Sequence, residues 1–230
     1  MLKSRKKITK KELKQDKLVT WYFKVSEQAQ KYQRQIITGV ICLIVAVLLV
    51  FFLFIKPNQE NDKLASTALG NISAFYDYKQ YQMAMEGLPE RNIIGLKRIV
   101  SDYGSTKAGE IAKIYLGNCY FAMGDYDNAL QNYNDFGGKE KMFKVAALVG
   151  KATVYEAKGQ NAEAATAFEE AATKDKDNVQ VSEIYLNAAK NYALSGNKKK
   201  AVELIEKIKT DYPTSTVSRE SDRYLAEYQD

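Results

Sequence analysis

The stretch "YLGNCYFAMGDYDNALQNY", residues 115–133, contains glycine, alanine and aromatic residues at a spacing that recurs twice further along the chain. In and just after this stretch, the recurring positions are Gly117, Tyr120, Gly124, Ala129, Tyr133 and Phe136. The second copy, 35 residues later, has Ala152, Tyr155, Gly159, Ala164, Phe168 and Ala171. The third copy, a further 37 residues along, has Ala189, Tyr192, Gly196, Ala201, Ile205 and Ile208. This recurrence predicts a structural unit that is repeated three times.

The spacing within each copy predicts a pair of antiparallel helices. The small residue and the tyrosine three positions later share one face of the first helix, and the glycine four positions further on ends that helix. In the first copy, Asp125 follows the glycine and is predicted to cap the next helix. The second helix has its alanine and its large apolar residue four positions apart, on the face that packs against neighbouring repeats.

These positions resemble the tetratricopeptide repeat (TPR), over residues 110–143, 145–178 and 182–215. The resemblance implies an all-α fold, in which stacked helix pairs form an α-solenoid within a repeat domain at residues 91–230. A degenerate repeat is expected before the three clear ones. Its second helix contains Gly95 and Ile99, and its first helix lies within residues 60–86, where the tyrosine and glycine positions are missing. Residues 217–228 are expected to form a capping helix.

Residues 36–55, "IITGVICLIVAVLLVFFLFI", contain no charged residue and predict one transmembrane helix before the repeats. Twenty helical residues span about 30 Å, which matches the hydrocarbon core of a bilayer. Sixteen of the twenty are Ile, Leu, Val or Phe. A cleaved signal peptide is the alternative, but it would have a shorter apolar run and a cleavage site with small residues. Residues 56–90 are then a linker followed by the long first helix.

The charge distribution predicts the orientation of this anchor. Residues 1–35 contain eleven of the 34 basic residues and three of the 28 acidic ones, which leaves 23 basic and 25 acidic residues in the rest of the chain. Basic residues stay on the cytoplasmic side of membrane anchors. We therefore expect a cytoplasmic tail and repeats on the opposite side. Because the positive charge belongs to the tail, nucleic acid is not an expected partner of the repeat domain.

The tail also contains an amphipathic segment, in which apolar residues follow helical spacing and lysines recur every seven residues beside them. The candidate membrane-surface residues are Lys17, Trp21, Tyr22, Lys24 and Lys31. Such a helix is suited to the headgroup layer of an anionic membrane. Two alternatives stay open at this point: the tail only fixes orientation, or it contacts the phosphates of ribosomal RNA.

The sequence contains no recognisable catalytic, cofactor-binding or metal-binding motif. Histidine, the commonest general base and a frequent metal ligand, is absent from the chain. The segment "GDYDNA" has two aspartates but lacks the glycine and the distal glutamate of a calcium loop. Cys42 lies in the predicted anchor and Cys119 in a repeat helix, so both are interpreted as packing residues. An enzyme is therefore not expected, and neither a cofactor nor a metal is predicted.

A repeat solenoid without catalytic motifs predicts a protein-binding surface. In tetratricopeptide proteins, the first helix of each repeat lines the concave groove. The resemblance places the candidate groove at Ile114, Asn118, Phe121, Val149, Thr153, Glu156, Leu186, Lys190 and Leu194. Apolar residues stand where a carboxylate clamp would need basic ones, so a peptide or helix of a partner is the expected ligand. Alternatively, these side chains pack against the chain's own helix in residues 60–86.

The layout of basic tail, single anchor and repeats resembles bacterial tetratricopeptide proteins related to the ancillary subunit of the Sec translocon. That resemblance implies a scaffold of the bacterial inner membrane with a periplasmic repeat domain, linked to translocation and to periplasmic chaperones. Its partners would be translocon subunits, chaperones or exported chains. A second hypothesis is a structural tether, in which the repeats self-associate through the outer face of the last helix, including Tyr224 and Tyr228.

Overall fold

The computed structural model describes residues 10–50 and 56–229. Side chains are described from residue 19 onward within these ranges, except at positions 29, 30, 56, 57 and 229. The chain divides into two units, Met1–Pro57 and Asn58–Asp230. The last five residues of the predicted anchor, 51–55, lie outside the described residues.

Between residues 10 and 50, the described part of the first unit consists of two helices, α1 (Lys10–Lys31) and α2 (Gln33–Val50). The two helices are separated by a turn at Tyr32, and two hydrogen bonds involve this residue. The Tyr32 N–H donates to the Gln28 carbonyl at 3.0 Å, and the Ile36 N–H donates to the Tyr32 carbonyl at 2.9 Å. Helix α2 is the one described helix that is long and apolar enough to span a membrane, and none of its residues is buried. The helix alone is compatible with a membrane anchor.

The second unit contains ten helices and a short β-hairpin. Its elements are α3 (Lys56–Asp77), α4 (Tyr81–Glu86), β1 (Gly87–Leu88), a 3-10 turn (Pro89–Arg91), β2 (Ile93–Ile94), α5 (Leu96–Tyr103), α6 (Lys107–Ala122), α7 (Tyr126–Asn134), α8 (Lys141–Ala157), α9 (Asn161–Lys174), α10 (Val181–Leu194), α11 (Lys198–Asp211) and α12 (Thr216–Gln229). The helices pack as successive pairs, α6 on α7, α8 on α9 and α10 on α11, with α12 against α10 and α11. The predicted solenoid with a terminal capping helix is confirmed.

The three pairs share one turn geometry, and it depends on the recurring glycine. Gly124, Gly159 and Gly196 have φ values of +79°, +72° and +88°, in the left-handed region that glycine adopts without steric cost. The N–H of the following residue then donates to the carbonyl of the recurring tyrosine. These bonds join Asp125 to Tyr120, Gln160 to Tyr155 and Asn197 to Tyr192 at 2.8–2.9 Å. Such 6→1 bonds satisfy carbonyls at the end of the first helix.

The same turn occurs before the three clear repeats, which corrects one detail of the sequence analysis. Lys79 has a φ of +59°, and the Gln80 N–H donates to the Phe75 carbonyl at 2.8 Å. Phe75 and Lys79 therefore occupy the positions of the tyrosine and the glycine. The sequence suggested that these positions were missing because neither residue has the expected type. The expected helix within residues 60–86 ends at Asp77, and α3 pairs with the chain that follows.

The second helix of this first pair is interrupted by the hairpin. Strands β1 and β2 are antiparallel, with Gly87 opposite Ile94 and Leu88 opposite Ile93, and they separate α4 from α5. Glycines stand at both ends of the hairpin. A Cβ atom on Gly95 would lie 2.3 Å from the Met85 carbonyl oxygen, and Gly87 has a φ of +81°. The insertion was not predicted, because its strands are only two residues long.

Within the described residues, the buried core consists of three clusters, and the first of them joins α3 to the start of the repeats. Helix α3 contributes Ala65 and Ile72 to a cluster with Leu96, Ile99 and residues of α6. The side chain of Asp62 also accepts a hydrogen bond from the Ala108 N–H at the start of α6, at 3.0 Å. At the next turn, the Asn128 N–H donates to Asp125 Oδ1 at 3.3 Å, which confirms the predicted cap.

Tyr133 connects the first two clear repeats through close packing against glycine. Its ring, only 5% exposed, lies between Gly117 on α6 and Gly150 on α8. A Cβ atom would approach ring carbons to 2.8 Å at Gly117 and to 2.5 Å at Gly150. Real side chains do not reach such distances, so both positions require glycine as long as the tyrosine is present.

We expect Gly150→Ala to lower the free energy of unfolding by about 1–3 kcal/mol, because the new methyl group must displace a ring that is enclosed on all sides. The matched control is Gly70→Ala on α3, where a Cβ atom would meet nothing within 4 Å. This control should raise the free energy of unfolding by about 0.5–1 kcal/mol, since alanine favours the helix. Urea unfolding of the full chain in mild detergent measures both values. Equal effects of the two substitutions would contradict the packing argument.

The thiol of Cys119 supplies a second prediction. Burial raises its pKa from the ordinary value of 9.0 to about 12. Between these values the unfolded chain has lost the thiol proton while the folded chain retains it, so the free energy of unfolding should fall as the pH rises. Cys119→Ala should make this decline shallower by up to about 1.4 kcal/mol per pH unit. Urea unfolding between pH 8 and pH 11 tests this, and an unchanged slope in the variant would contradict it.

Candidate partner-binding cleft

A cleft of about 360 Å³ lies between the first helices of two successive repeats, α6 and α8. Its walls come from these two helices, its floor includes Tyr133 of α7, and the connection between α9 and α10 closes one side. The lining residues are Ile114, Asn118, Phe121, Tyr133, Met142, Val145, Ala146, Val149, Gly150, Thr153, Asn178 and Gln180. The cleft therefore occupies the inner face that the sequence analysis assigned to partner binding.

A hydrogen-bonded chain fixes the floor of the cleft. The Tyr133 hydroxyl donates to Asn118 Oδ1 at 2.6 Å, and Asn118 Nδ2 donates to the Tyr76 hydroxyl of α3 at 2.9 Å. Burial raises the pKa of both phenols. The two tyrosines thus stay protonated and neutral at physiological pH. Because both ends of the Asn118 amide are engaged, this side chain positions the floor and has little capacity left for a ligand.

The lining of the cleft contains no charged side chain. Isoleucine, phenylalanine, methionine and valine form most of the walls, and amide groups stand at the rim. Met142 is 61% exposed, and Ala146 is exposed as well. The Thr153 hydroxyl donates to the Val149 carbonyl at 2.9 Å within α8, so its oxygen remains available as an acceptor. Such a surface favours apolar side chains accompanied by backbone amides, and its lining has no basic side chain to pair with a phosphate or a terminal carboxylate.

Five of the nine predicted groove residues meet in this cleft: Ile114, Asn118, Phe121, Val149 and Thr153. One of them, Asn118, also agrees with the alternative that groove residues contact the chain's own helix in residues 60–86, because its side chain donates a hydrogen bond to Tyr76 of α3. The sequence analysis missed Met142 and Ala146. Their spacing from Val149 and Thr153 on α8 was a usable signal, since residues three to four apart share a helix face. Asn178 and Gln180 belong to the connection between repeats, where helical periodicity gives no indication.

The other four predicted residues, Glu156 of the second repeat and three residues of the third, do not line the cleft, which is a correction. Leu186 is 2% exposed and packs in the core. The ammonium of Lys190 lies 4.8 Å from the ring centroid of Tyr224 on α12. Glu156 accepts a hydrogen bond from Asn191 at 2.8 Å, and Leu194 is 69% exposed at the end of its helix. The physical reason is that α12 packs against α10 and occupies part of this surface.

The terminal helix also bears on the tether hypothesis. Tyr224 and Tyr228 were expected on the outer face of the last helix, but both are partly buried against the core of the third repeat. Their rings lie 5.9 Å apart. The two rings are therefore less exposed than an outer face would make them, and self-association through them stays a prediction.

Four of the five candidate tail residues can be located in the structure. Trp21, Tyr22, Lys24 and Lys31 are all exposed on α1, while the side chain of Lys17 lies outside the described residues. The Lys31 ammonium lies 5.8 Å from the ring centroid of Tyr32. Tyr32 is also exposed and follows directly after α1. The aromatic residues of α1 thus remain uncovered by the part of the chain that the structure describes.

Among the described residues, no group of three Cys, Asp or Glu side chains is placed to hold a metal ion. Cys119 is buried in the cluster that includes Ile72 and Leu96, and its raised pKa keeps the thiol protonated near neutrality, away from nucleophilic chemistry.

Comparisons with known proteins agree with this architecture. The family model of the tetratricopeptide repeat matches residues 112–139 and 183–215. A solved structure of nearly identical TPR-like repeats, from a Podosopora anserina protein described as a kinesin light chain, superposes with a TM-score of 0.51 and 18% identity. A point variant of the same repeats gives a TM-score of 0.52, also at 18% identity. Each comparison covers 74% of this chain and 84% of the other.

No sequence among the curated proteins matches the chain. The structural likeness at this identity establishes a shared fold. Together with the family model, it shows that the chain contains tetratricopeptide repeats arranged as a TPR-like solenoid, an architecture that serves protein–protein interaction.

Proposed function

We propose that this protein is a membrane-anchored scaffold that binds a segment of a partner protein in the cleft between α6 and α8. The observation that carries the proposal is the cleft itself, where five groove positions expected from the repeat pattern converge on one uncharged surface. Its volume falls within the range of about 300–1,000 Å³ that is usual for binding pockets.

The chemistry of the lining narrows the partner to a segment with apolar side chains. An aliphatic or aromatic side chain entering between Phe121 and Val149 would exchange water for apolar walls, and that exchange is worth about 1.5–3 kcal/mol for one residue. The backbone of the segment would meet the amides of Asn178 and Gln180 at the rim. Because the floor is neutral and already hydrogen-bonded, a charged group would lose its hydration there without gaining a partner.

Membrane anchoring is supported by α2 and by the composition around it. The core helix of a soluble protein would be buried, but α2 has no buried residue among those described. The uncharged sequence continues through residue 55, which gives the length needed to cross a bilayer. The eleven basic residues of the tail then favour a cytoplasmic N-terminus, with the repeats in the periplasm of a bacterial cell.

The resemblance of this layout to relatives of the ancillary Sec translocon subunit suggests which partners to examine. Translocon subunits, periplasmic chaperones and newly exported chains all present segments with apolar side chains. A cleft without charge accepts such segments with little dependence on their sequence, which suits a scaffold with several clients.

The cleft can be tested by photocrosslinking in intact membranes. A benzophenone amino acid at position 142 should capture a partner protein, whereas the same probe at position 131, exposed on α7, should not. Ala146→Glu should reduce capture about tenfold or more, because a bound partner would bury the new carboxylate without a counter-charge. A tenfold loss of affinity corresponds to about 1.4 kcal/mol, and burying an unpaired carboxylate costs more than that. Gln131→Glu is the matched control for added charge. Capture that is equal with and without Ala146→Glu would exclude the cleft, and adducts between copies of this chain alone would favour the tether.

The topology can be tested independently by cysteine labelling in a Cys42→Ser background. A membrane-impermeant maleimide should label Thr173→Cys in intact spheroplasts but label Lys24→Cys only after permeabilisation. Both positions are exposed, so accessibility within the protein does not limit the reaction. The reverse pattern would contradict a periplasmic repeat domain.

A further inference from the structure

Helices α1 and α2 share one apolar stripe that the described part of the chain leaves uncovered. From Leu18, positions spaced alternately by four and three residues are Leu18, Tyr22, Val25, Ala29, Tyr32 and Ile36. The same spacing continues through Gly39, Leu43, Ala46 and Val50. Within α1 and at the junction, Tyr22, Val25, Tyr32 and Ile36 are each between 43% and 65% exposed. This alternation is the seam of a helix that packs along a second helix.

The stripe crosses the turn at Tyr32, which separates α1 from α2. Only one residue separates the two helices, and the hydrogen bonds of Tyr32 to Gln28 and of Ile36 to Tyr32 have the i→i+4 spacing of a helix. From Tyr22 to Val50 the stripe extends over about 42 Å at 1.5 Å per residue. A seam of this length is longer than the apolar face that a short amphipathic helix needs to attach a protein to a membrane surface.

The charges of α1 avoid the stripe and the positions on both sides of it. Between residues 18 and 35, the charged residues are Lys24, Glu27, Lys31 and Arg34. The positions that flank the stripe in this region carry Val19, Trp21, Ser26, Gln28, Gln33 and Gln35. In a parallel pair of identical helices, these flanks face each other, and like charges there would repel. Their absence makes the surface complementary to itself.

Lipid does not cover this stripe as well as another helix would. Trp21 precedes Ile36 by fifteen residues, so a continuous helix places it about 22 Å from the start of the span. The headgroup layer on each side of a bilayer is only about 5–8 Å thick. An interfacial helix must lie in the membrane plane, which would require α1 to turn away from the direction of α2 at Tyr32.

We propose that α1 and α2 pair in parallel with the same helices of a second copy of this chain, along the stripe from Leu18 to Val50. The inference rests on the membrane anchoring proposed above, because two anchors inserted in the same direction are necessarily parallel. Gly39 fits this arrangement. A Cβ atom there would meet nothing within 4 Å, so the single chain has no need for glycine, while helices that associate in lipid use small residues for close approach.

The pairing is tested by disulfide crosslinking of single cysteines in membranes, in a Cys42→Ser background oxidised with copper phenanthroline. Tyr22→Cys, Val25→Cys and Tyr32→Cys lie on the stripe, and Phe23→Cys, Glu27→Cys and Arg34→Cys lie away from it. We expect at least about tenfold more covalent dimer at the stripe positions, because a disulfide needs Cα atoms about 4–7 Å apart. Phe23 is the sharpest control, since it is apolar and 63% exposed, almost as much as Tyr22 at 65%. The Cys42→Ser protein, whose remaining Cys119 is buried, gives the background.

Equal crosslinking at positions 22 and 23 would mean random collision and would overturn the inference. Absence of dimers, combined with protection of stripe cysteines from aqueous maleimide by anionic vesicles, would overturn it in favour of a lipid-bound tail. Carbonate extraction of the same membranes separates this inference from the proposed anchoring. Protein that stays in the membrane without dimers refutes only the pairing, whereas protein that is released refutes both.

Discussion

The arrangement of the first two clear repeats depends on the ring of Tyr133, which is held between Gly117 and Gly150. The glycines allow α6 and α8 to approach the same aromatic side chain from opposite sides, so three helices of two repeats meet at one point. Its hydroxyl is then fixed by Asn118, and Asn118 in turn by Tyr76 of α3. One residue thereby links the first helix pair, the repeat that follows and the floor of the cleft. The separation of the cleft walls follows from this packing.

The turns explain why the solenoid continues upstream of the obvious repeats. Lys79 adopts the left-handed conformation that glycine adopts at Gly124, and its neighbour makes the same 6→1 hydrogen bond. A left-handed lysine is sterically unfavourable, by about 1–2 kcal/mol. The surrounding packing of Ile72, Leu96 and Ile99 compensates for that cost. The backbone conformation of the turn is therefore retained in the first helix pair, although the residue types of the later repeats are not.

The cleft is shorter than the groove that a uniform array of repeats would form. At the third repeat, α12 packs against α10, and Tyr224 takes up the neighbourhood of Lys190. A terminal helix of this kind protects the apolar end of a solenoid from solvent. The same contact shortens the open groove to the region between α6 and α8. A partner would thus be held through one short segment, which agrees with a scaffold for several clients.

The sequence by itself determined the helix pairs, their turns, the long apolar helix and five of the residues that line the cleft between α6 and α8. These features depend on local spacing, because a helix face and a glycine turn are properties of consecutive residues. It also determined that Asp125 caps α7. Tertiary structure decided the rest: the burial of Leu186, the partial burial of Tyr224 and Tyr228, the rim formed by Asn178 and Gln180, and the role of Lys79. Each of these features depends on which distant segment packs nearby. The periodicity of one helix does not indicate which other helices will contact it.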